Sequence, residues 1–326
     1  MAEILSGDSE RALERASSVL AAGRLVAIPT ETVYGLAADA TNGEAVARIF
    51  AAKGRPRLNP LIAHVCDLAM AEKIGMFDDM SRALAGHFWP GPLTLVVPLR
   101  KDSRIHPLVT AGLDTIALRM PRGLAVDVIT RLGRPLAAPS ANLSGRLSAT
   151  TAQDVNDDLS ARVALIIDAG QCDIGLESTI VKIEEGRARL LRPGGVPVEA
   201  IEALGIQVVR TTPGTAVEAP GMLVSHYAPR AAVRPNAHDV REGEALLTYG
   251  SAKIAGSDKA IATLNLSLSG DLVEAAANLF SCLHKLDASG AQTIAIALIP
   301  DEGLGEAIND RLSRAAAARN LEAMRS

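Results

Sequence analysis

The order of apolar and polar residues predicts a chain of alternating helices and strands. Residues 9–22 carry apolar side chains at helical spacing and run into Gly23, a natural helix stop. The apolar run 25–28 predicts a buried strand. Asn42 is then placed to cap a helix with an apolar stripe that ends at Gly54. The pattern is typical of an α/β protein.

Further short apolar runs predict the other strands of the first part of the chain. These runs are residues 61–65, 93–97, 115–118, 135–138, 163–168 and 179–183, with 188–191 as a hairpin return. A helix is predicted at 124–132. Some connections are too short for a helical crossover, so we expect a mixed rather than a purely parallel sheet.

The pattern of apolar and polar residues changes between Val208 and about Ala231. This stretch contains three prolines and two glycines and has neither helical nor strand period, so it reads as a linker of roughly 20 residues, longer than a compact domain usually tolerates without a function. Beyond it, a βαβ pattern predicts a parallel sheet, with strands at 245–249, 260–264 and 293–298 and helices at 272–286 and 305–319. The predicted domains are therefore 1–207 and 232–326, joined by the linker 208–231.

The amino-acid composition favours a protein with buried cores and counts against several binding and membrane classes. The chain has 326 residues and 48% hydrophobic content, enough for two buried cores. Aromatic residues make up only 2%, and the net charge is −4, which count against a base-stacking platform and a broad polyanion-binding surface. The three distant cysteines form no CxxC pair, which favours a reducing, cytoplasmic setting. No apolar run approaches about 18 residues, so we expect no membrane span.

The first two candidate sites follow predicted strands and helices directly. Thr30 and Thr32 would place two hydroxyls on one side of an extended segment, although a plain polar turn is an equal alternative. Lys53, Arg55 and Arg57 form a stiff cationic arm suited to a triphosphate, with a solvated basic turn as the alternative. Taken alone, the nearby His64 is more easily read as a satisfied core histidine.

The remaining candidates lie in the loops after later strands. The segment PSANLSG offers hydroxyls, an amide and backbone N–H groups that could cradle phosphate, or could form an ordinary turn before a helix at 152–159. Glu177-Ser178-Thr179 and Arg192 are weak signals locally. Arg119 is stronger, because a buried arginine needs an anionic partner. Hydroxyls, amides and arginines without a nucleophilic triad suit phosphoryl or nucleotidyl transfer.

Six motifs in a fixed order then identify a family. PTETVYGL, KGRPRLNPL, PSANLSG, ESTIV, LRPG and SHYAP together resemble the threonylcarbamoyl-AMP synthases, the long form of the YrdC-like family. The resemblance implies a twisted mixed-sheet YrdC-like catalytic domain followed by a smaller Rossmann-like α/β domain. It implies a nucleotidyltransferase that turns L-threonine, bicarbonate and ATP into threonylcarbamoyl-AMP and pyrophosphate. The product would serve the tRNA threonylcarbamoyl-transfer machinery, which makes threonylcarbamoyladenosine beside the anticodon.

The resemblance also implies roles for individual residues. Threonine would be bound by Thr32, His64, Arg119, Ser178 and the backbone around Ala138, with Arg119 neutralising its carboxylate. ATP would be bound by Lys53, Arg55, Asn59, Ser140, Asn142, Ser148 and Arg192, by the backbone around Thr115, and by Tyr227 reaching back from the linker. Lys53 and Arg55 would be the catalytic residues, together with Mg²⁺ carried by ATP. No protein side chain is identified as a metal ligand.

Two other functions stay open at this point. YrdC-like folds are also linked to double-stranded RNA binding, so contact with tRNA or double-stranded RNA is a second hypothesis, against which the acidic net charge counts. The third is a carbamoyl-adenylate-forming maturation enzyme. That resemblance usually comes with an acylphosphatase-like part and zinc-finger cysteines, neither of which the sequence contains.

Overall fold

The computed structural model describes residues 2–211, 215–222 and 226–323, with side chains described as far as residue 317. Residues 212–214 and 223–225 of the predicted linker, including the serine of SHYAP, therefore lie outside the described residues. By contacts the chain divides into two compact units. The first comprises the residues up to 144, 149–172 and 177–222, and the second comprises 145–148, 173–176 and the chain from 223 onward.

Strands and helices are interleaved along the chain, as the sequence pattern predicts. The strands are β1 (Glu3–Ser6), β2 (Val26–Ile28), β3 (Gly35–Asp39), β4 (Ile62–His64), β5 (Leu93–Pro98), β6 (Thr115–Arg119), β7 (Leu136–Ala137), β8 (Leu165–Asp168), β9 (Thr179–Glu184), β10 (Arg187–Arg192), β11 (Val208–Arg210), β12 (Ala232–Arg234), β13 (Glu244–Thr248), β14 (Thr263–Asn265) and β15 (Thr293–Ile296). The helices are α1 (Glu10–Ala21), α2 (Gly43–Lys53), α3 (Leu68–Glu72), α4 (Asp79–Phe88), α5 (Pro107–Thr110), α6 (Leu124–Leu132), α7 (Ala152–Leu159), α8 (Val198–Glu202), α9 (Leu272–Asp287) and α10 (Leu304–Ala323).

The first unit is built on an eleven-stranded sheet in the order β1-β8-β2-β3-β7-β4-β6-β5-β9-β10-β11. Neighbouring strands run parallel in the pairs β1–β8, β2–β8, β4–β6, β5–β9 and β10–β11, and antiparallel in the other five. The prediction of a mixed sheet is confirmed. The second unit carries four strands in the order β12-β15-β13-β14, all parallel, as the βαβ pattern predicts.

Four strands differ from the sequence interpretation, and two of them, β1 and β12, are short strands that were simply not predicted. β3 was not predicted, because its sequence GLAAD has no β-branched or aromatic residue, although all five residues are buried. β11 lies where the linker was placed: Val208 pairs with Ala188 of β10, so the first three of those residues extend the large sheet. The linker therefore leaves the sheet only after Arg210.

The two faces of the central strands have different roles. Ala63, Leu95 and Leu118 point into the largest apolar core, which α2 and α4 cover. The opposite face carries a smaller apolar cluster, which we call the floor. It is made by Ile62, Val96, Ala117, Ile180 and Leu191. Since side chains alternate along a strand, His64 and Arg119 share the face of this floor. No helix among the described residues has the length and apolar character needed to cross a membrane.

Two short segments of the first half of the chain belong to the second unit. In one, the Gly145 carbonyl accepts a hydrogen bond of 2.8 Å from the Ala228 N–H. In the other, Gly175 packs so tightly on α9 that a Cβ there would lie 2.6 Å from the Ala276 carbonyl oxygen. The second unit is therefore assembled from three stretches of sequence.

Candidate active site

The register of three neighbouring strands brings the first predicted residues together. His64, the last residue of β4, pairs with Arg119, the last residue of β6. Leu118 pairs with Leu95 of β5, one residue from Thr94, so the three strands present His64, Arg119 and Thr94 at the same end. All three side chains are buried. They border the apolar floor at one end.

The anionic partner that a buried Arg119 requires is Glu31. Arg119 is 4% exposed, and its Nη2 lies 2.8 Å from Glu31 Oε1. These two atoms approach each other without the angles of a hydrogen bond, and neither forms one with another described residue. Another polar atom of each side chain is hydrogen-bonded. Arg119 Nε donates to the Gly91 carbonyl at 3.2 Å. Glu31 Oε2 accepts from the Arg122 N–H at 3.0 Å. The pair is fixed but keeps hydrogen-bonding capacity for a ligand.

His64 beside this pair is uncharged at neutral pH. Burial, and then the nearby positive charge of Arg119, lower the pKa of His64 to about 3. Its Nδ1 is buried and has no hydrogen-bond partner among the described residues. This nitrogen therefore keeps hydrogen-bonding capacity for a ligand, which counts against the reading of His64 as a fully satisfied core histidine.

This shift in pKa makes the first testable prediction. Since the folded-state pKa of about 3 lies below the ordinary value of 6.5, the unfolded chain binds more protons between those two values. His64 should therefore lower the free energy of unfolding as the pH falls through that window, by at most about 1.4 kcal/mol per pH unit, and contribute nothing above pH 6.5. Denaturant titrations of the native protein and of His64→Gln from pH 4.5 to 7.5 would measure it. Parallel pH dependences for the two proteins would contradict the prediction.

The hydroxyls of Thr30 and Thr32 meet as predicted, but in a turn rather than in an extended segment. Their Oγ1 atoms lie 2.9 Å apart, and Thr30 Oγ1 also donates to the Val33 carbonyl at 2.7 Å. Thr32 is completely buried. The segment is thus a polar turn, and it is a buried one. A tight turn closed by Thr30 holds Thr32 one residue from Glu31.

Lys53 ties the end of α2 to the PSANLSG loop. α2 ends at Gly54 in the left-handed conformation (φ +61°), and Lys53 before it is buried. Its Nζ donates to the carbonyl oxygens of Ser140, at 2.6 Å, and of Asn142. The Lys53 carbonyl in turn accepts from the Ser144 N–H at 2.8 Å. Burial, and then the charge of Arg55, lower the pKa of Lys53, so an anion placed here would relieve an unfavourable state.

Arg55 and Asn59 form the next part of the site. Arg55 is buried, and it donates to the Asn59 carbonyl at 3.2 Å and to the Pro60 carbonyl at 2.7 Å. The Asn59 side chain is 2% exposed, and neither of its amide atoms has a hydrogen-bond partner among the described residues. Arg57, by contrast, is exposed. The solvated basic turn is thus the correct reading for Arg57 alone.

Arg192 and Ser178 meet at the start of β9. Arg192 donates to the Ser178 carbonyl from Nε at 3.1 Å and from Nη2 at 2.9 Å. Its Nη2 also donates to Ser178 Oγ at 3.1 Å. The same Oγ lies 2.7 Å from Thr94 Oγ1, which connects it to the end of the floor where Arg119 lies. The locally weak signals at these two residues thus belong to one buried network.

Gly194 allows this network to form, which gives a second prediction. A Cβ at Gly194 would lie 2.3 Å from the Glu177 carbonyl oxygen and 2.5 Å from Ser178 C, both backbone atoms that cannot move aside. Gly194→Ala should therefore lower the free energy of unfolding by more than about 2 kcal/mol, as overpacking against rigid backbone does. Gly86→Ala on α4 is the control, since nothing lies within 4 Å there and alanine favours a helix. Equal effects of the two alanines on chemical denaturation would contradict the close approach.

The other predicted residues lie in different places. The Ala138 N–H donates to the Ile62 carbonyl at 3.1 Å, beside the floor. Thr115 begins β6, about 13 Å along the strand from Arg119. Ser148 and Tyr227 belong to the second unit. There the Ser148 carbonyl lies 3.2 Å from His284 Nε2, and the guanidinium of Arg311 lies 4.9 Å from the centre of the Tyr227 ring. Their contacts with ATP stay predictions.

The sequence interpretation missed three residues that shape the site. Glu31 was quoted in PTETVYGL but received no role, although the argument that Arg119 needs an anion could have led to it. Thr94 lies in an apolar strand and gave no signal of its own. Gly194 was noted only as part of LRPG. Among the described residues, no three His, Cys, Asp or Glu side chains come together as a metal site.

Comparison with known proteins gives a consistent result. The family model Sua5_yciO_yrdC, described as "Telomere recombination", matches residues 18–194. A second model, Sua5_C, described as "Threonylcarbamoyl-AMP synthase, C-terminal domain", matches residues 196–317. The two models together span nearly the whole chain.

Similar proteins match at full length. The threonylcarbamoyl-AMP synthase of Pyrococcus abyssi (strain GE5 / Orsay) is 40% identical over 324 residues, which cover 94% of each chain. That of Bacillus subtilis (strain 168) is 39% identical over 325 residues, covering 94% of this chain and 93% of the relative. The crystal structure of P. abyssi Sua5 complexed with L-threonine superposes with a TM-score of 0.87 at 36% identity and covers 98% of both chains.

Proposed function

We propose that this chain, which belongs to the threonylcarbamoyl-AMP synthase family in the form that carries the Sua5 C-terminal domain, is itself an L-threonylcarbamoyladenylate synthase. It is a nucleotidyltransferase that converts L-threonine, bicarbonate and ATP into threonylcarbamoyl-AMP, pyrophosphate and water. The observation that carries the proposal is the set of buried, under-bonded polar groups of the first unit. His64, Arg119 and Glu31 border the floor, and Asn59 lies beside Arg55 just before β4.

The threonine end of the site follows from the charges there. The carboxylate of threonine binds Arg119, whose Nη2 keeps bonding capacity while Glu31 and the Gly91 carbonyl hold the guanidinium in place. Neutral His64 and the hydroxyls of Thr32 and Ser178 supply hydrogen bonds without adding charge. The relative of known structure whose description names bound L-threonine supports this assignment.

The nucleotide end follows from Lys53, Arg55 and the loop they border. Lys53 and Arg55 are buried cations, so they stabilise the triphosphate and the charge that develops as pyrophosphate leaves. The PSANLSG loop, tied to Lys53 through Ser140 and Asn142, supplies N–H and hydroxyl groups. The threonine amine and bicarbonate form a carbamate with loss of water. An oxygen of this carbamate then attacks the α-phosphorus of ATP. The bond to the β-phosphate oxygen breaks, and pyrophosphate carries away the negative charge.

The magnesium ion that this family uses with ATP would be held mainly by substrate. Among the described residues no three His, Cys, Asp or Glu side chains form a metal-binding cluster, and phosphate oxygens can supply most ligands of Mg²⁺. When bound, the ion offsets the charge of the phosphate oxygens. The residues of the chain position the phosphates around it.

The product passes to the enzymes that transfer the threonylcarbamoyl group to tRNA, in the cytoplasm. The match of residues 196–317 to the Sua5 C-terminal domain counts against the alternative of a maturation enzyme of another architecture. Direct contact with tRNA or double-stranded RNA would be local. An open cavity of about 460 Å³, with Arg24, Arg48 and Arg162 in its lining, offers positive charge for contact with RNA phosphates.

The test of the function is pyrophosphate release with each substrate omitted in turn. Release should require threonine, bicarbonate and ATP together, since the carbamate is the nucleophile. Serine differs by one methyl group, worth about 1–3 kcal/mol, so its kcat/KM should be about 10- to 200-fold lower. Release that is independent of threonine would refute the synthase, and equal use of serine would refute a methyl-binding pocket alone.

A further inference from the structure

Part of the predicted linker lies on the floor of the site. We call residues 218–222 the strap; they belong to the first unit. Ala219 is completely buried and packs with Ile62, Val96, Ala117 and Ile180, and Met222 packs against the same cluster. The strap thus contacts the face that carries His64 and Arg119. These apolar contacts of the strap are small, since they come from Ala219 and Met222.

A group of four charges holds the strap from its first residue. The Glu218 carboxylate lies 2.6 Å from Lys182 Nζ on β9 and 2.6 Å from Arg189 Nη2 on β10. Glu184 binds the same two cations, each at 2.7 Å. Lys182, Arg189 and Glu218 are each about one-fifth exposed, so solvent and salt weaken these ion pairs less than fully exposed ones.

The placement of these charges is fixed by the sheet. Lys182 and Arg189 are paired directly across the antiparallel strands β9 and β10, so the two cations form a rigid receptor for one carboxylate. Although burial alone would raise it, the pKa of Glu218 is lowered, because hydrogen bonds from Lys182 and Arg189 favour the charged form. Glu218 is therefore ionised over the working pH range.

The strap is also connected to the residues predicted to bind substrate. The Pro220 carbonyl lies 3.5 Å from Arg192 Nη1. Arg192 holds Ser178 by three hydrogen bonds, and Ser178 meets Thr94 next to Arg119. A shift of Glu218 would therefore move a segment that lies on the floor and contacts this network.

We propose that Glu218 is a positioning residue for the synthase reaction: by binding Lys182 and Arg189 it holds the strap on the floor and keeps water from the carbamate. The inference rests on the proposed function. A carbamate exposed to water loses CO₂ and returns to the amine before it reaches the α-phosphorus. Excluding water is thus worth most at low bicarbonate, where a lost carbamate is replaced slowly.

The test is steady-state kinetics of Glu218→Lys. Its KM for bicarbonate should rise about tenfold, the effect expected for a partly buried charge group, while kcat at saturating bicarbonate changes little. Glu202→Lys on α8, an exposed site in the same unit, makes the same charge change and should alter neither value. The double variant Glu218→Lys/Lys182→Glu restores opposite charges and should recover most of the bicarbonate KM.

Either of two kinetic outcomes would overturn the inference. One is a fall in kcat with an unchanged bicarbonate KM, which indicates lost folded enzyme. The other is failure of the charge-reversed double variant to recover. Hydrogen exchange of the strap amides gives a readout independent of activity: Glu218→Lys should speed it about tenfold relative to Glu202→Lys. If the native protein lacks synthase activity, the proposed function fails, and unchanged exchange in Glu218→Lys would show separately that Glu218 does not hold the strap.

Discussion

Replacing Arg119 by methionine is expected to remove threonine-dependent turnover and to destabilise the protein. The substitution deletes the cation that we propose binds the threonine carboxylate, and it leaves Glu31, almost wholly buried, without its partner. Breaking a buried ion pair from one side costs about 3–5 kcal/mol of folding free energy. The kcat/KM for threonine should fall by more than about a hundredfold, since a charged hydrogen-bonding group that contacts substrate is lost.

The double variant Arg119→Met/Glu31→Gln separates the two effects. Removing both charges should restore most of the stability, because no unpaired charge remains buried. It should not restore use of threonine, since nothing replaces the guanidinium. Denaturant titration and threonine kinetics on the same preparations would measure both quantities. A double variant that regained threonine use would show that Arg119 only compensates Glu31.

Replacing Arg55 by alanine is expected to weaken ATP use selectively. Arg55 is buried and donates to the main-chain carbonyls of Asn59 and Pro60, so its loss removes the charge that we propose binds phosphate and the hydrogen bonds that hold this backbone. One charged hydrogen bond is worth about 1.5–3 kcal/mol, so the KM for ATP should rise about 10- to 100-fold. The KM for threonine should change much less.

Arg57→Ala provides the matched control for this prediction. It removes the same side chain two residues away, at a position that is exposed to solvent. Its KM for ATP should stay within about twofold of the native value, as for most exposed surface substitutions. Equal effects of the two alanines would mean that the basic segment acts as a diffuse cationic surface.

Much of the fold was predictable because the signals are local. The caps of α1 and α2, the apolar strands and the βαβ order of the second half each depend on a few neighbouring residues. β3 was not, since a strand of glycine and alanine is stable only through the neighbours that bury it. The pairing of β11 with β10 was not predictable either, because it depends on residues about twenty positions apart.

The candidate site was also predictable only where the signals are local in the sequence. That Arg119 needs an anionic partner follows from its apolar surroundings, but the identity of that partner does not. Glu31 lies 88 residues earlier, and only the sheet brings it within 2.8 Å. Lys53 and Arg55 could be singled out from their spacing. Whether they fold inward, unlike Arg57, depends on the carbonyls that the folded loops present to them.

The composition of the second unit from three stretches of sequence limits where the chain can be divided. A fragment that stops at residue 222 would keep segments 145–148 and 173–176 but lose α9 and Ala228, against which they pack. Leu147 and Leu176, both buried in the complete chain, would then be uncovered. A fragment that ends there is therefore expected to need polar replacements in these two loops to reach the stability that the same residues have in the complete chain.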